Sequence, residues 1–426
     1  MSKPTLLTQA TLVDLDPPGV SQGSLRIRDG RIVERIEGEV TVLENETVVD
    51  LEGDLLLPGL VNAHNHFYSA LVPGMSLPEV PGFDAALEKI WWVVDRCHDV
   101  GTIRASAMSG CIEALRCGTT TVIDHHASPS CIAGSLDAVA EGAATIGVRV
   151  VTGYEITDRN HPGEGLEGLQ ENLRALAAGQ GEHFGVLTAL HASFTLEDET
   201  LARVGAESVP VHVHVAEGRQ DVEDARRRGY RGVIDRLNTH GLLREGSVLV
   251  HGVHLEDEEV AQALESGCWL VHNPSSNRNN RVGYARPQRF QPRLALGTDG
   301  IGSDMLGAVR ETFLTAREHR VSLDPVAALV GGHRIASELL GVPMGRLQDG
   351  HVADLVRIRR PVRGPVNSQS LVGHLLFSLS AKDVRDVWVG GVKVLEEGRV
   401  LGATRSRLDD ICAQAGKLWA AYERGV

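Results

Sequence analysis

Apolar positions along the chain follow two alternating patterns. Short runs of β-branched and aliphatic residues that stop at Gly, Asn or a titratable side chain predict strands at 57–66, 120–126, 148–155, 185–191, 211–217, 248–251, 269–273 and 294–299. Between them, apolar residues at three- and four-residue steps predict helices at 103–115, 136–146, 166–176, 222–237 and 258–264. Gly118 and Gly147 stand just past two of these helices, where a C-terminus favours a residue tolerant of positive φ. Strict alternation of strand and helix implies a parallel sheet. Eight such units predict an α/β fold, a TIM-like (β/α)8 barrel whose C-terminal strand ends meet at one mouth.

The two chain ends are patterned differently. Residues 5–57 show short strands with turn signals such as Arg28-Asp29-Gly30-Arg31, and 345–356 and 387–394 carry the same kind of pattern. Both ends are expected to pair into one small discontinuous β-sandwich. The expected organisation is therefore 1–57 as its first part, 58–344 as the barrel, and 345–426 as its second part plus a C-terminal helix. Residues 67–100, which include Val72-Pro73-Gly74-Met75 and Trp91-Trp92, form a long connection over the mouth and a candidate lid or pocket wall. Packing of a helix against the barrel is the plainer account of at least one of the two tryptophans.

With 426 residues and 42% hydrophobic content, the chain is long enough for one large barrel and a smaller unit. A net charge of -14 argues against nucleic acid as a partner, and Arg226, Arg227 and Arg228 read as a solvated helix face. No apolar stretch reaches the roughly 18 residues of a membrane span, and Met1 to Thr5 lack a signal-peptide pattern, so a soluble, cytoplasmic protein is expected. The six Cys form no CxxC pair and need no disulfide role. Barrels with a side sandwich commonly assemble, and a homo-oligomer, a dimer, is the expectation.

The chemistry lies where the strands end. His64 and His66 occupy alternate positions, hence one strand face, and both can reach one cation. With His214 and Asp299 they supply three nitrogens and one oxygen, a set suited to one divalent metal ion, Zn²⁺ first, with Fe²⁺ or Mn²⁺ also admitted. His212, two residues before His214, shares its face one layer deeper and reads as a buried, hydrogen-bonded histidine. Glu217, three residues after His214, is placed for general acid/base work on a ring nitrogen under attack. His251 ends the next strand and could orient water or stabilise charge. Asp299 could take a proton from a water whose pKa the metal lowers.

With these residues in view, the chain resembles the amidohydrolase superfamily, in the branch of mononuclear aminohydrolases that includes cytosine and guanine deaminases and s-triazine hydrolases. The resemblance spans nearly the whole chain, from Pro58-Gly59-Leu60-Val61-Asn62-Ala63-His64-Asn65-His66 to Ala353-Asp354-Leu355-Val356. It implies metal binding by His64, His66, His214 and Asp299, and action on substrate and water by Glu217 and His251. Asp124-His125-His126, His191-Ala192-Ser193-Phe194-Thr195 and His272-Asn273-Pro274-Ser275-Ser276-Asn277 are most similar to the aminohydrolases named SsnA. Relatives with two metals bridge them through a carboxylated Lys on the fourth strand. The Lys residues here, at 3, 89, 382, 393 and 417, lie elsewhere.

Glu155, which some relatives use as a ligand, is expected instead to read ring N–H or amino donors. His126, His191, Asn277 and Trp92 complete the expected substrate-binding set. The expected activity is metal-dependent hydrolytic deamination of a small nitrogen heterocycle, a purine, pyrimidine or pterin, with catalytic Glu217, His251 and Asp299. The alternatives are hydrolysis of another C–N or C–Cl bond, as in a triazine or cyclic amide, and a metal-binding barrel without catalysis. Ammonia against chloride release separates the first two; loss of Glu217 or Asp299 would have favoured the third.

Overall fold

The computed structural model describes residues 3–361 and 363–425. Two sheets of parallel strands form its centre. In one, Phe184–Val186, Arg149–Thr152, Thr119–Asp124 and Leu60–Asn65 lie side by side; in the other the order is Leu294–Leu296, Trp269–His272, Val248–His251, Val211–Val215, Thr188–Ala192 and Glu155–Ile156. Two strands expected to be continuous are broken, and each contributes to both sheets. The run 148–155 kinks at Gly153 and resumes as Glu155–Ile156, while Phe184–Val186 resumes as Thr188–Ala192. Close backbone approach is the cause: a Cβ on Gly153 would lie 1.9 Å from the Leu187 carbonyl oxygen. At the opposite edges Asn65 bridges Asp299 in parallel, and the Thr298 and Asp299 amides both donate to the His64 carbonyl at 3.0 Å.

Helices Val100–Arg116, Ser135–Ile146, Glu164–Ala178 and Asp257–Glu265 form where the apolar periodicity places them. Gly147 ends the second with φ of 93°. The helix expected over 222–237 is instead two, Arg219–Arg227 and Val233–Thr239, because Gly229 turns the chain at φ of 95°. The core is aliphatic and continuous between the sheets and these helices.

Strands from both ends, between residues 5 and 58 and between 355 and 400, join in one nine-stranded mixed sheet. Leu55–Pro58 connects the two contributions, pairing in parallel with Thr5–Leu15 and antiparallel with Leu355–Ile358. The connection 67–100 is a series of short helical turns, tied down by the final helix, Arg405–Arg424. Trp419 Nε1 donates to the Leu71 carbonyl at 2.7 Å and the Tyr422 hydroxyl to that of Lys89 at 3.0 Å. Among the described residues no helix is long and apolar enough to cross a membrane.

Candidate active site

The C-terminal ends of the parallel strands converge on one cluster of imidazoles and carboxylates. Asp299 Oδ1 lies 3.0 Å from His66 Nε2 and 3.6 Å from His64 Nε2, and His214 Nε2 lies 3.3 Å from His66 Nε2. The ring orientations are set from behind. His66 Nδ1 donates to the His125 carbonyl at 2.7 Å, and His214 Nδ1 donates to that of His191 at 2.6 Å, so each Nε2 lone pair faces inward. His64 Nδ1 meets His212 Nε2 at 3.0 Å, while His64 Nε2 is buried with no hydrogen-bond partner among the described residues. By these distances three imidazole nitrogens and one carboxylate oxygen fit a divalent cation of borderline softness; His64 also lies close enough to share one with His251 and Asp299, or with His125 and His214.

Most of these rings are held neutral. Burial holds His214 and His212 well below the ordinary imidazole range and brings His64 down to about 3. His66 is the exception: burial opposes its charge, but contact with Asp299 outweighs that and pushes it up to about 9. A cation would displace that proton.

Next to this set, His251 Nε2 is 3.5 Å from Glu217 Oε2 and 3.8 Å from Asp299 Oδ2. Glu217 accepts from Asn280 Nδ2 at 3.1 Å, and burial raises its carboxyl above the usual range against the pull of His251. Asp299 Oδ2 accepts the Ser276 hydroxyl. His251 and Asp299 sit at φ of 73° and 57°, and Ala216, preceding Glu217, at 46°. Left-handed backbone in non-glycine residues is costly and gathers at functional sites. Here it turns the ends of Val211–Val215, Val248–His251 and Leu294–Leu296 toward one point.

His66, His214, Glu217, His251 and Asp299 line one cavity at these strand ends, while His64 is buried away from it. Of the expected substrate-binding residues, Glu155, His191 and Trp92 line it. His126 does not; it is fully buried behind the strand end, its Nε2 2.9 Å from Ser128 Oγ, because the residue after His125 points to the other side. Nor does Asn277 line it: its Oδ1 accepts from His251 Nδ1 at 2.8 Å, so it orients the histidine instead.

Several contributors lay beyond sequence reasoning. Arg159 donates to Glu155 Oε1 at 2.7 Å and to Asp95, and its guanidinium lies 5.2 Å from the Trp92 ring. His125 Nδ1 lies 3.3 Å from His214 Nε2, and His125 falls with His64 and His214 in one group close enough to share a cation; the doubled His125-His126 was its only signal. Glu155, His191 and His214 also come close enough to share a cation, but Arg159 already occupies one Glu155 oxygen and Thr195 meets His191 Nδ1 at 2.8 Å.

Residues 55–394 match the amidohydrolase family. The 5'-deoxyadenosine deaminase of Methanopyrus kandleri is 28% identical over 408 residues, covering 91% of this chain and 92% of that protein. The 5-methylthioadenosine/S-adenosylhomocysteine deaminase of Natronomonas pharaonis is 30% identical over 374 residues, covering 83% and 84%. Among solved structures, a zinc-bound adenosine deaminase from Xanthomonas campestris superposes with a TM-score of 0.86 at 23% identity, covering 99% of this chain and 98% of the other.

Proposed function

The chain belongs to the amidohydrolase family, and from that premise we propose a metal-dependent aminohydrolase that replaces the amino group of a nitrogen heterocycle by oxygen and releases ammonia. The relatives named as deaminases of adenosine derivatives support this over hydrolysis of a C–Cl bond. The observation that carries it is Glu217: a carboxyl on the cavity wall, its side chain 13% exposed, 3.5 Å from His251 and next to the inward-facing ligand set. In this reading the two parallel sheets close as a (β/α)8 barrel over 58–344, and the nine-stranded sheet is the β-sandwich formed by 1–57 and 345–426.

His64, His66, His214 and Asp299 would hold one divalent ion, with zinc favoured by three nitrogens and one oxygen. When bound, the ion supplies Lewis acidity and lowers the pKa of water in the cavity toward neutrality. Glu217, raised above the usual carboxylate range, takes a proton from the attacking water and delivers it to the ring nitrogen beside the attacked carbon. His251, fixed by Asn277, faces Glu217 and Asp299 with Nε2 and holds the water in line. The carbon–oxygen bond forms as the C=N bond opens. Asp299 or Glu217 then takes the proton of the newly added hydroxyl and passes it to the amino group, so the carbon–nitrogen bond breaks as the carbonyl forms, leaving an oxo product and ammonia. Glu155 and His191 face the ring from the adjoining wall.

The test is ammonia release by metal-analysed protein over aminopurines, aminopyrimidines and pterins, with and without chelator. Activity should follow metal content, and Glu217→Gln should lower kcat by roughly 10²- to 10⁴-fold at unchanged metal content. Full metal loading with no ammonia from any compound, or chloride release from a chlorotriazine, would overturn the reading.

A further inference from the structure

The run Asn273-Pro274-Ser275-Ser276-Asn277-Arg278-Asn279-Asn280 is polar almost throughout, yet Pro274–Asn279 is a helix at the cavity wall. So short a helix without an apolar face is not stable by itself, and polar contacts hold it. On its outer side Glu311, from helix Met305–Glu318, accepts the Ser275 hydroxyl and, at 2.7 Å, Arg278 Nη1. On its inner side it meets all three residues read as catalytic: Ser276 reaches Asp299, Asn277 reaches His251 and Asn280 reaches Glu217.

Ser276 and Asn280 stand four residues apart, hence on one helix face, and the Asn280 amide closes the turn on the Ser276 carbonyl at 2.8 Å. Their side chains are joined as well. Asn280 Nδ2 carries two hydrogens and lies 3.1 Å from Glu217 Oε1 and 3.3 Å from Ser276 Oγ. The Ser276 hydroxyl has one, which it donates to Asp299 Oδ2. Donors therefore run from Asn280 to both carboxylates, directly to Glu217 and through Ser276 to Asp299. Each carboxylate is left with one held oxygen and one working oxygen. In Asp299, Ser276 holds Oδ2, while Oδ1, which also takes the Gly300 amide at 2.9 Å, lies nearest His66 and His64. In Glu217, Asn280 holds Oε1, while Oε2 faces His251 at 3.5 Å. Rotating either carboxylate to exchange its oxygens would break a hydrogen bond to an ionised acceptor, the stronger kind.

We propose that Ser276 and Asn280 are positioning residues with separate tasks: Ser276 fixes Asp299 as a metal ligand through Oδ1, and Asn280 fixes Glu217 so that Oε2 carries the proton. The first task rests on the ligand set alone; the second rests on the deaminase reading and deepens it. Groups that hydrogen-bond a metal ligand from behind set its orientation, and their loss is felt in metal affinity. A group that orients only the acid/base is felt in turnover instead.

Two readouts separate the tasks: competition of the zinc-loaded protein against a chelator, and kcat and KM on the compound that releases ammonia fastest. Ser276→Ala should weaken zinc binding roughly tenfold to hundredfold, and Ser276→Thr, which keeps the hydroxyl, should stay within about threefold of wild type. Asn280→Leu should leave zinc binding and KM within about threefold of wild type and lower kcat by roughly tenfold. Wild-type zinc affinity in Ser276→Ala, or a Thr variant no better than Ala, would overturn the task given to Ser276. An unchanged kcat in Asn280→Leu, or a loss of zinc affinity as large as the loss of kcat, would overturn that given to Asn280. No ammonia from the wild-type protein would overturn the deaminase reading and the task of Asn280 with it, while the zinc competition still decides Ser276. Should Ser276→Ala or Asn280→Leu not fold, Ser276→Cys, whose thiol is only a weak donor, and Asn280→Ala take their places.

Discussion

Ala216 and Phe194 stand at the ends of adjacent strands, and both donate their backbone amides to one carboxylate, that of Asp221, at 2.8 and 3.1 Å. The Ser193 hydroxyl joins them at 2.6 Å. The bond to Ala216 holds a left-handed backbone in place directly before Glu217, so Asp221, which also borders the cavity, positions the proposed acid/base. Asp221→Asn replaces one acceptor oxygen by an amide donor and sets it against a backbone N–H. A roughly tenfold to hundredfold loss in kcat at normal metal content is expected, measured by ammonia release. Its pH behaviour has a defined sign. Burial pushes Asp221 from 3.8 up to about 6, so the folded protein holds this proton where the unfolded chain has lost it. The associated stability is present below about pH 4 and is lost as pH rises through about 6. Asn does not titrate, so the Tm of the variant relative to wild type should rise across that window; a constant difference would refute this. No sequence spacing announced Asp221, Asp95 or Arg159. His64 with His66, and His214 with Glu217, were legible because fixed offsets along a strand and its end set their direction. The others arrive from helix starts and loops, where tertiary packing decides what each side chain meets.

At the scale of elements, strand ends and helix periods were readable because burial imposes them residue by residue. The breaks were not. Gly153 and Gly229 interrupt a strand and a helix through backbone approach and a left-handed turn, which an apolar pattern does not record. Helix Pro325–Leu340 makes the same point at a joint that matters more. It lies across Leu294–Leu296 and Leu60–Asn65, the strands that precede Asp299 and carry His64. Contact is close enough that a Cβ on Gly331 would fall 1.9 Å from the Leu294 carbonyl oxygen. Gly331→Ala should therefore push the helix outward and destabilise by about 1–3 kcal/mol, and the two strands that bring Asp299 to His64 should separate slightly. Calorimetry should record a lower Tm and metal titration a weaker affinity. Lower Tm with unchanged affinity would mean that the strand joint absorbs the shift.

In the whole molecule, the parallel strands and the nine-stranded sheet are coupled through one buried ion pair. Asp354 accepts from Arg149 Nε at 2.7 Å and Nη2 at 3.0 Å, takes the Gly390 amide at 2.7 Å, and offers its own carbonyl to the Gly59 amide at 2.8 Å. Arg149 opens the strand Arg149–Thr152, whereas Asp354 and Gly390 belong to the second chain end, so the pair spans the junction. Removing one member of such a pair strands the other charge in a low-dielectric interior, which costs about 3–5 kcal/mol, far more than an exposed pair. Asp354→Ala should accordingly lower the Tm of the metal-loaded protein by several degrees. If the pair is what makes the regions unfold together, the calorimetric trace should split into two transitions; a single shifted transition would assign cooperativity to the apolar contacts around it. Catalysis should barely respond. Glu155 opens the second piece of the same broken strand, six residues beyond Arg149 and roughly 20 Å along an extended chain, and is held by Arg159 rather than by the junction. kcat/KM within about threefold of wild type at 25 °C is expected, and a larger loss would mean that the junction transmits to the cavity.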